Sequence, residues 1–216
     1  MGGELEELRQ RVLKGKGKLC REELESLASW RIEMEKEQQK MLHVEGEIEL
    51  EGIGERFSSR FPNILSDYNP SDFTFRATVT QRAQESGKFF ARGLFGRPVQ
   101  FEEPVLPHDP LIRSYKLCPK WRSQVKKNPE ALREKKLFEE SPAMAGTLMN
   151  VSHHLGLQPL LTLDQLDLLY VSCNFDLAWR PLQPSPWCAL FSKQELEVII
   201  LDPSTKPTYI EEIRPE

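Results

Sequence analysis

One segment constrains this chain more than any other. Phe73-Thr74-Phe75-Arg76-Ala77-Thr78 alternates aromatic and polar residues with the two-residue period of a half-buried strand. It is the best strand candidate in 216 residues whose remaining patterning is helical. A single strand has no stability of its own in water. Either other strands escape the pattern, or this one pairs with a sheet supplied by sequence outside these residues.

The flanking segments are helix-like. Leu5, Leu8, Val12 and Leu13 recur at helical spacing before Gly15 and Gly17 interrupt. Residues 22–40 are a highly charged second stretch with a loose apolar face. Residues 44–61 form a third helix, ended by Pro62 and weakened by Gly46, Gly52 and Gly54. After the strand, Thr80 can cap a helix that runs to about Phe95 and stops at Gly96. Residues 97–110 are rich in proline and acid and read as an extended connection. Helices are then predicted at 119–127, 130–140, 142–155, 163–179 and 192–200, separated by proline- and glycine-marked breaks. The tail from Asp202 is expected to be loosely ordered. The divisions are 1–72, N-terminal helices leading to the strand; 73–96, core strand and following helix; 97–201, a helical domain; and 202–216, a divergent tail.

Composition narrows the classes. At 39% hydrophobic and 29% charged residues the chain is globular in type. A net charge of −4 with interspersed signs gives no nucleic-acid footprint. The longest apolar runs are too short to span a bilayer. The first residues lack a basic region followed by an apolar stretch, so no signal peptide is expected, and a complete chain would be cytoplasmic. Cys20, Cys118, Cys173 and Cys188 include no pair with metal-ligand spacing, and no metal site is expected. Cys173 and Cys188 flank a short proline-rich loop, as a disulfide or as two buried thiols. Asn150-Val151-Ser152 is a glycosylation sequon that matters only in a secreted protein.

The chemistry concentrates in Phe75-Arg76-Ala77-Thr78-Val79-Thr80-Gln81-Arg82, where a strand passes into a helix. Backbone N–H groups at a helix start favour an anion. A guanidinium beside them can hold two phosphate oxygens at once. Arg76 and Arg82 are therefore candidate phosphate ligands, against the plainer reading of two surface arginines.

Residues 75–96 resemble the Arg-(Ser/Thr/Ala)-(Thr/Ser)-x-x-x-Arg strand-to-helix motif of the histidine acid phosphatases, in particular their multiple inositol-polyphosphate phosphatase (phytase-like) branch. Leu42-His43-Val44-Glu45-Gly46 through Arg60-Phe61-Pro62 resembles the helix preceding that strand. Residues 170–178 and 185–191 resemble a helix and loop of the same branch. The three segments fall in the family's order. The resemblance implies an α/β fold, with this chain mostly its helical domain plus one core strand. It implies phosphomonoester hydrolysis of inositol polyphosphates through a phosphohistidine, without metal or organic cofactor, in the endoplasmic reticulum lumen or outside the cell. Protein partners are not implied.

Of the family's reacting residues only the second arginine of the motif has a match, Arg82, with Arg76 in support. No Arg-His-Gly run, which carries the nucleophile, occurs in the sequence. Val79 stands where Asp is common and Ala83 where Thr is common. His108-Asp109 spells the acid dipeptide but lies between prolines in the connection, and reads as coincidence. His153 and His154 end an apolar helix and have no partners for a site. The expectation is a partial family member, inactive alone. The alternative is a non-catalytic helical binding module that keeps the arginine pair.

Overall fold

In the computed structural model the described residues are 2–31, 40–107, 109–126 and 128–201. In chain order the helices are α1 (Gly2–Lys14), α2 (Arg21–Ser29), α3 (Val44–Arg60), α4 (Pro62–Leu65), α5 (Gln81–Phe95), α6 (Ser114–Leu117), α7 (Pro119–Trp121), α8 (Arg133–Glu139), α9 (Pro142–His154), α10 (Leu163–Trp179) and α11 (Lys193–Leu201). A π-helical turn, Arg122–Lys126, and two 3₁₀ turns, Pro129–Leu132 and Cys188–Leu190, complete the helical elements. The expected helices at 119–127 and 130–140 are thus each split into two shorter pieces. The tail from Asp202 lies outside the described residues, as does most of the second half of the 22–40 stretch.

The chain forms two compact units, residues 1–32 with 129–216, and residues 33–128. In the first, Leu5, Leu8 and Val12 of α1 pack with Leu27 of α2, Met144 and Val151 of α9, and Leu166 and Leu169 of α10. Full burial of one such leucine stabilises by roughly 1.5–3 kcal/mol. Local chemistry fixes the helix starts. Ser141 Oγ accepts from Met144 N–H, and Thr162 forms a reciprocal capping box with Gln165. The break at Gly17 has a packing reason. A Cβ there would lie 2.4 Å from the His154 carbonyl oxygen, and Lys18 N–H donates to that oxygen at 2.7 Å.

A polar seam ties residue 30 to α10. Trp30 Nε1 donates to Asp176 Oδ1 at 2.9 Å, and Arg180 pairs with the same carboxylate. The Trp30 ring meets the fully buried Trp187 edge-on at 4.9 Å. Cys173 and Cys188 are joined in a disulfide with their α-carbons 4.8 Å apart. Of the two open readings of this pair, the structure carries the disulfide. Arg9, buried on α1, donates from Nη1 to the carbonyls of Leu27, Ala28 and Trp30 at 2.9–3.3 Å. It meets the negative end of the α2 dipole, and Glu6 holds its other face.

The second unit is built on α3 and α5, which pack in backbone contact, with Leu42 N–H before α3 donating to Gln81 Oε1 at the start of α5 at 3.0 Å. A Cβ at Gly54 would fall 2.3 Å from Phe90 O, and one at Gly93 would fall 2.0 Å from Glu51 O. Gly54 therefore serves the packing that its low helix propensity seemed to argue against. Phe57 on Phe90, ring centroids 6.0 Å apart, and an Arg92–Glu51 ion pair flank the contact.

The predicted strand 73–78 makes, among the described residues, only an isolated parallel bridge, Phe75 to Phe101. Its alternation is nonetheless used. Phe73 and Phe75 both pack on Phe95 of α5, at 5.0 and 6.2 Å, and Phe101 closes on Phe75 at 5.4 Å. The half-buried aromatic face forms against a helix, without a ladder of neighbouring strands.

Candidate functional site

The turn from Phe75 into α5 places the two candidate arginines in different settings. Arg76 is committed. Its guanidinium pairs with Glu102, next to the bridging Phe101, and lies 3.6 Å from Asp109. Glu102 N–H also donates to Phe75 O at 2.9 Å, so backbone and side chain bind the same two segments. An arginine balanced between two carboxylates holds the turn together and has little charge left for an incoming anion.

Asp109 is the residue that sequence reasoning undervalued. It is 2% exposed. Its Oδ1 accepts from Leu111 N–H at 2.8 Å and Ile112 N–H at 3.1 Å, an Asx turn at the end of the 97–110 connection. Burial pushes its carboxyl up, but those two hydrogen bonds and the Arg76 charge outweigh burial and hold it below the usual carboxylate range. An Asp placed before a proline and three residues ahead of Ile112 was the available signal. Its partner in the dipeptide, His108, lies outside the described residues.

Arg82 is different. It lies in the first turn of α5 and is exposed. Five basic residues occur between 76 and 97. Arg76 has Glu102, Lys88 has Glu85, Arg92 has Glu51, and Arg97 donates to the Tyr68 carbonyl. Arg82 alone of the five has no hydrogen-bond or ion-pair partner among the described residues. Thr80 stands at the N-cap position, but its hydroxyl makes no cap bond, which corrects the cap expected there. It lies 3.4 Å from Thr78 Oγ1 instead. The start of α5 thus combines a free guanidinium, two small hydroxyls and the positive end of a 15-residue helix.

A groove of about 450 Å³ runs along another part of α5, between Lys88, Phe89 and Arg92 and the segment Pro98, Val99 and Phe101. Both its cations already have carboxylate partners, and neither Arg76 nor Arg82 lines it. In the first unit Asn150 is exposed on α9, while Ser152 of the same sequon is buried, donating to Leu148 O and accepting from Leu161 N–H. His153 and His154 close α9. Among the described residues no group of three or more His, Cys, Asp or Glu could hold a metal ion, and no helix is long and apolar enough to cross a membrane.

The histidine phosphatase superfamily (branch 2) matches residues 4–199, and the chain belongs to that family. Within it the chain is similar to multiple inositol polyphosphate phosphatase 1 of Drosophila melanogaster, with 30% identity over 186 residues, 83% of this chain and 39% of the relative. The proteins of the same name from Gallus gallus and Homo sapiens are 28% and 27% identical, each over 81% of this chain and 39% and 38% of their own length. The chain therefore spans about two fifths of the relatives it matches. No solved structure matches it.

Proposed function

We propose that this chain is the helical domain and phosphate-site helix of an inositol-polyphosphate phosphatase, with Arg82 the arginine that grips the transferring phosphoryl group. The observation that carries the reading is Arg82 itself. It is a cation with no partner among the described residues, in the first turn of α5, at the place where the family motif has its phosphate-binding arginine. A fork of N–H donors can hold two phosphoryl oxygens while staying ionised. Arg76 supports the turn through Glu102 and Asp109 and does not touch substrate. The histidine nucleophile and the proton donor come from sequence beyond these residues, so the 216-residue chain binds phosphate weakly and turns nothing over. The Cys173–Cys188 disulfide suits an oxidising compartment, such as the endoplasmic reticulum lumen or the exterior.

The test is titration of the purified chain with inositol hexakisphosphate by calorimetry, beside a phosphate-release assay. Weak binding, lost in Arg82→Ala and poorly restored in Arg82→Lys, is the expected result, with no phosphate released. Turnover by the unmodified chain, or binding that survives Arg82→Ala, refutes the assignment.

A second reading rests on the missing Arg-His-Gly run. It makes the chain a non-catalytic binding module that keeps the arginine site. Such a module would unfold cooperatively as an independent protein, whereas a partial domain would not.

A further inference from the structure

Residues 110–129 carry six cations and no acidic residue, in a chain whose net charge is −4. The six are Arg113, Lys116, Lys120, Arg122, Lys126 and Lys127, the last outside the described residues. Cations just beyond this stretch are matched to acids. Arg133 pairs with Glu130 and Glu134, Lys135 with Glu139, and Lys136 with Glu140. None of the five described cations of the stretch pairs with a carboxylate among the described residues.

The stretch is folded upon itself. Arg122 Nη2 donates to Lys116 O at 3.1 Å, Ser123 Oγ to Pro119 O at 3.1 Å, and Trp121 N–H to Cys118 Sγ at 3.3 Å. The Tyr115 and Trp121 rings meet edge-on at 5.2 Å. Yet neither α6, α7 nor the π turn buries a residue. Leu111 is 73% exposed, Leu117 53% and Val125 47%, interleaved with the cations.

That combination discriminates between anionic ligands. A soluble polyanion accounts for the lysines and arginines and leaves Leu111, Leu117 and Val125 with no role. A bilayer interface uses both, with cations at the level of the lipid phosphates, aliphatic side chains entering the acyl boundary, and Tyr and Trp between them. We infer that residues 111–126 are a docking surface for the face of an anionic phospholipid bilayer. The inference does not rest on the Arg82 site, and a vesicle assay with no inositol phosphate present tests it separately.

The experiment is co-sedimentation of the purified 216-residue chain with phosphatidylcholine vesicles, with and without phosphatidylserine. Binding is expected only with phosphatidylserine, and it should weaken as salt is raised. Lys120→Ala, Arg122→Ala and Lys126→Ala should each weaken it roughly 5-fold. Leu117→Gln should weaken it without changing the charge. All four side chains are exposed, so the variants are expected to keep the parent's circular dichroism. No binding to either vesicle, equal binding to both, or cation variants that bind like the parent overturns the inference. So does an unaffected Leu117→Gln, or equally tight binding of a DNA oligonucleotide through the same three cations. Either result would mark a general polyanion surface.

Discussion

Gly93→Ala tests the contact on which the second unit depends. In a helix interior, glycine to alanine ordinarily stabilises by about 0.8–1 kcal/mol. At Gly93 the added methyl would lie 2.0 Å from the Glu51 carbonyl oxygen and 2.8 Å from its carbon. A comfortable C···O separation is about 3.3 Å or more, so α3 and α5 would have to part by about 1.3 Å. Both clashing atoms belong to helix backbone and cannot rotate away. Parting the helices would also loosen the Phe57–Phe90 contact and the Arg92–Glu51 pair. Overpacking of this kind costs up to about 3 kcal/mol, leaving a net loss of about 2 kcal/mol after the gain in propensity. Gly146, inside α9, is the control. Nothing lies within 4 Å of a Cβ built there, so Gly146→Ala should stabilise by about 1 kcal/mol. Urea unfolding followed by circular dichroism at 222 nm reads both variants. If Gly93→Ala stabilises as Gly146→Ala does, α3 and α5 are not in backbone contact and the architecture of the unit is wrong.

Two further outcomes follow. Cys173 and Cys188 close a span of 15 residues, so the double serine variant should lose roughly 3 kcal/mol in oxidised samples and match the parent under reductant; equal urea midpoints in oxidised samples would mean the bridge does not form. Glu51 is held below the usual carboxylate range by its hydrogen bonds from Arg92, and Asp109 also lies below that range. Both folded values being depressed, their stabilisation is complete above about pH 5 and is lost as pH falls through the folded values. Glu51→Gln and Asp109→Asn should each flatten the acid side of a urea-midpoint profile, and profiles parallel to the parent's would refute the pairing.

What could be read from sequence was local. The helices predicted at 142–155 and 163–179 are present as α9 and α10, and the structure adds that Ser141 and Thr162 cap them. The motif from Arg76 to Arg82 located the start of α5 to within a residue. The misses are long-range. Arg76 meets Glu102, 26 residues away, through a bridge that no periodicity encodes. The alternation at 73–78 identified an aromatic face correctly but could not say whether that face meets a sheet or a helix. Gly54 looked like a defect in α3 because propensity is a property of one helix, whereas its use depends on a second. Asp109 looked like half of a coincidental dipeptide because its cation becomes visible only when 76 and 109 are brought together.

The two units are held by different forces, and the difference bears on the site. The large buried apolar cluster lies in residues of the first unit, with the disulfide beside it. Around the start of α5 the second unit instead relies on a backbone-to-backbone helix contact, the Arg92–Glu51 pair and the Arg76–Glu102–Asp109 group. The Arg92–Glu51 and Arg76–Glu102 pairs are partly exposed, and such pairs stabilise little and are screened by salt. The order of the Arg82 turn should therefore depend on pH and ionic strength more steeply than the first unit does. The same pairing explains why Arg82 is the residue left for a ligand. Four carboxylates of this unit are already matched to other cations, Glu51 to Arg92, Glu85 to Lys88, and Glu102 and Asp109 to Arg76. An anion arriving at this turn finds one guanidinium that has no carboxylate partner among the described residues, at the positive end of α5.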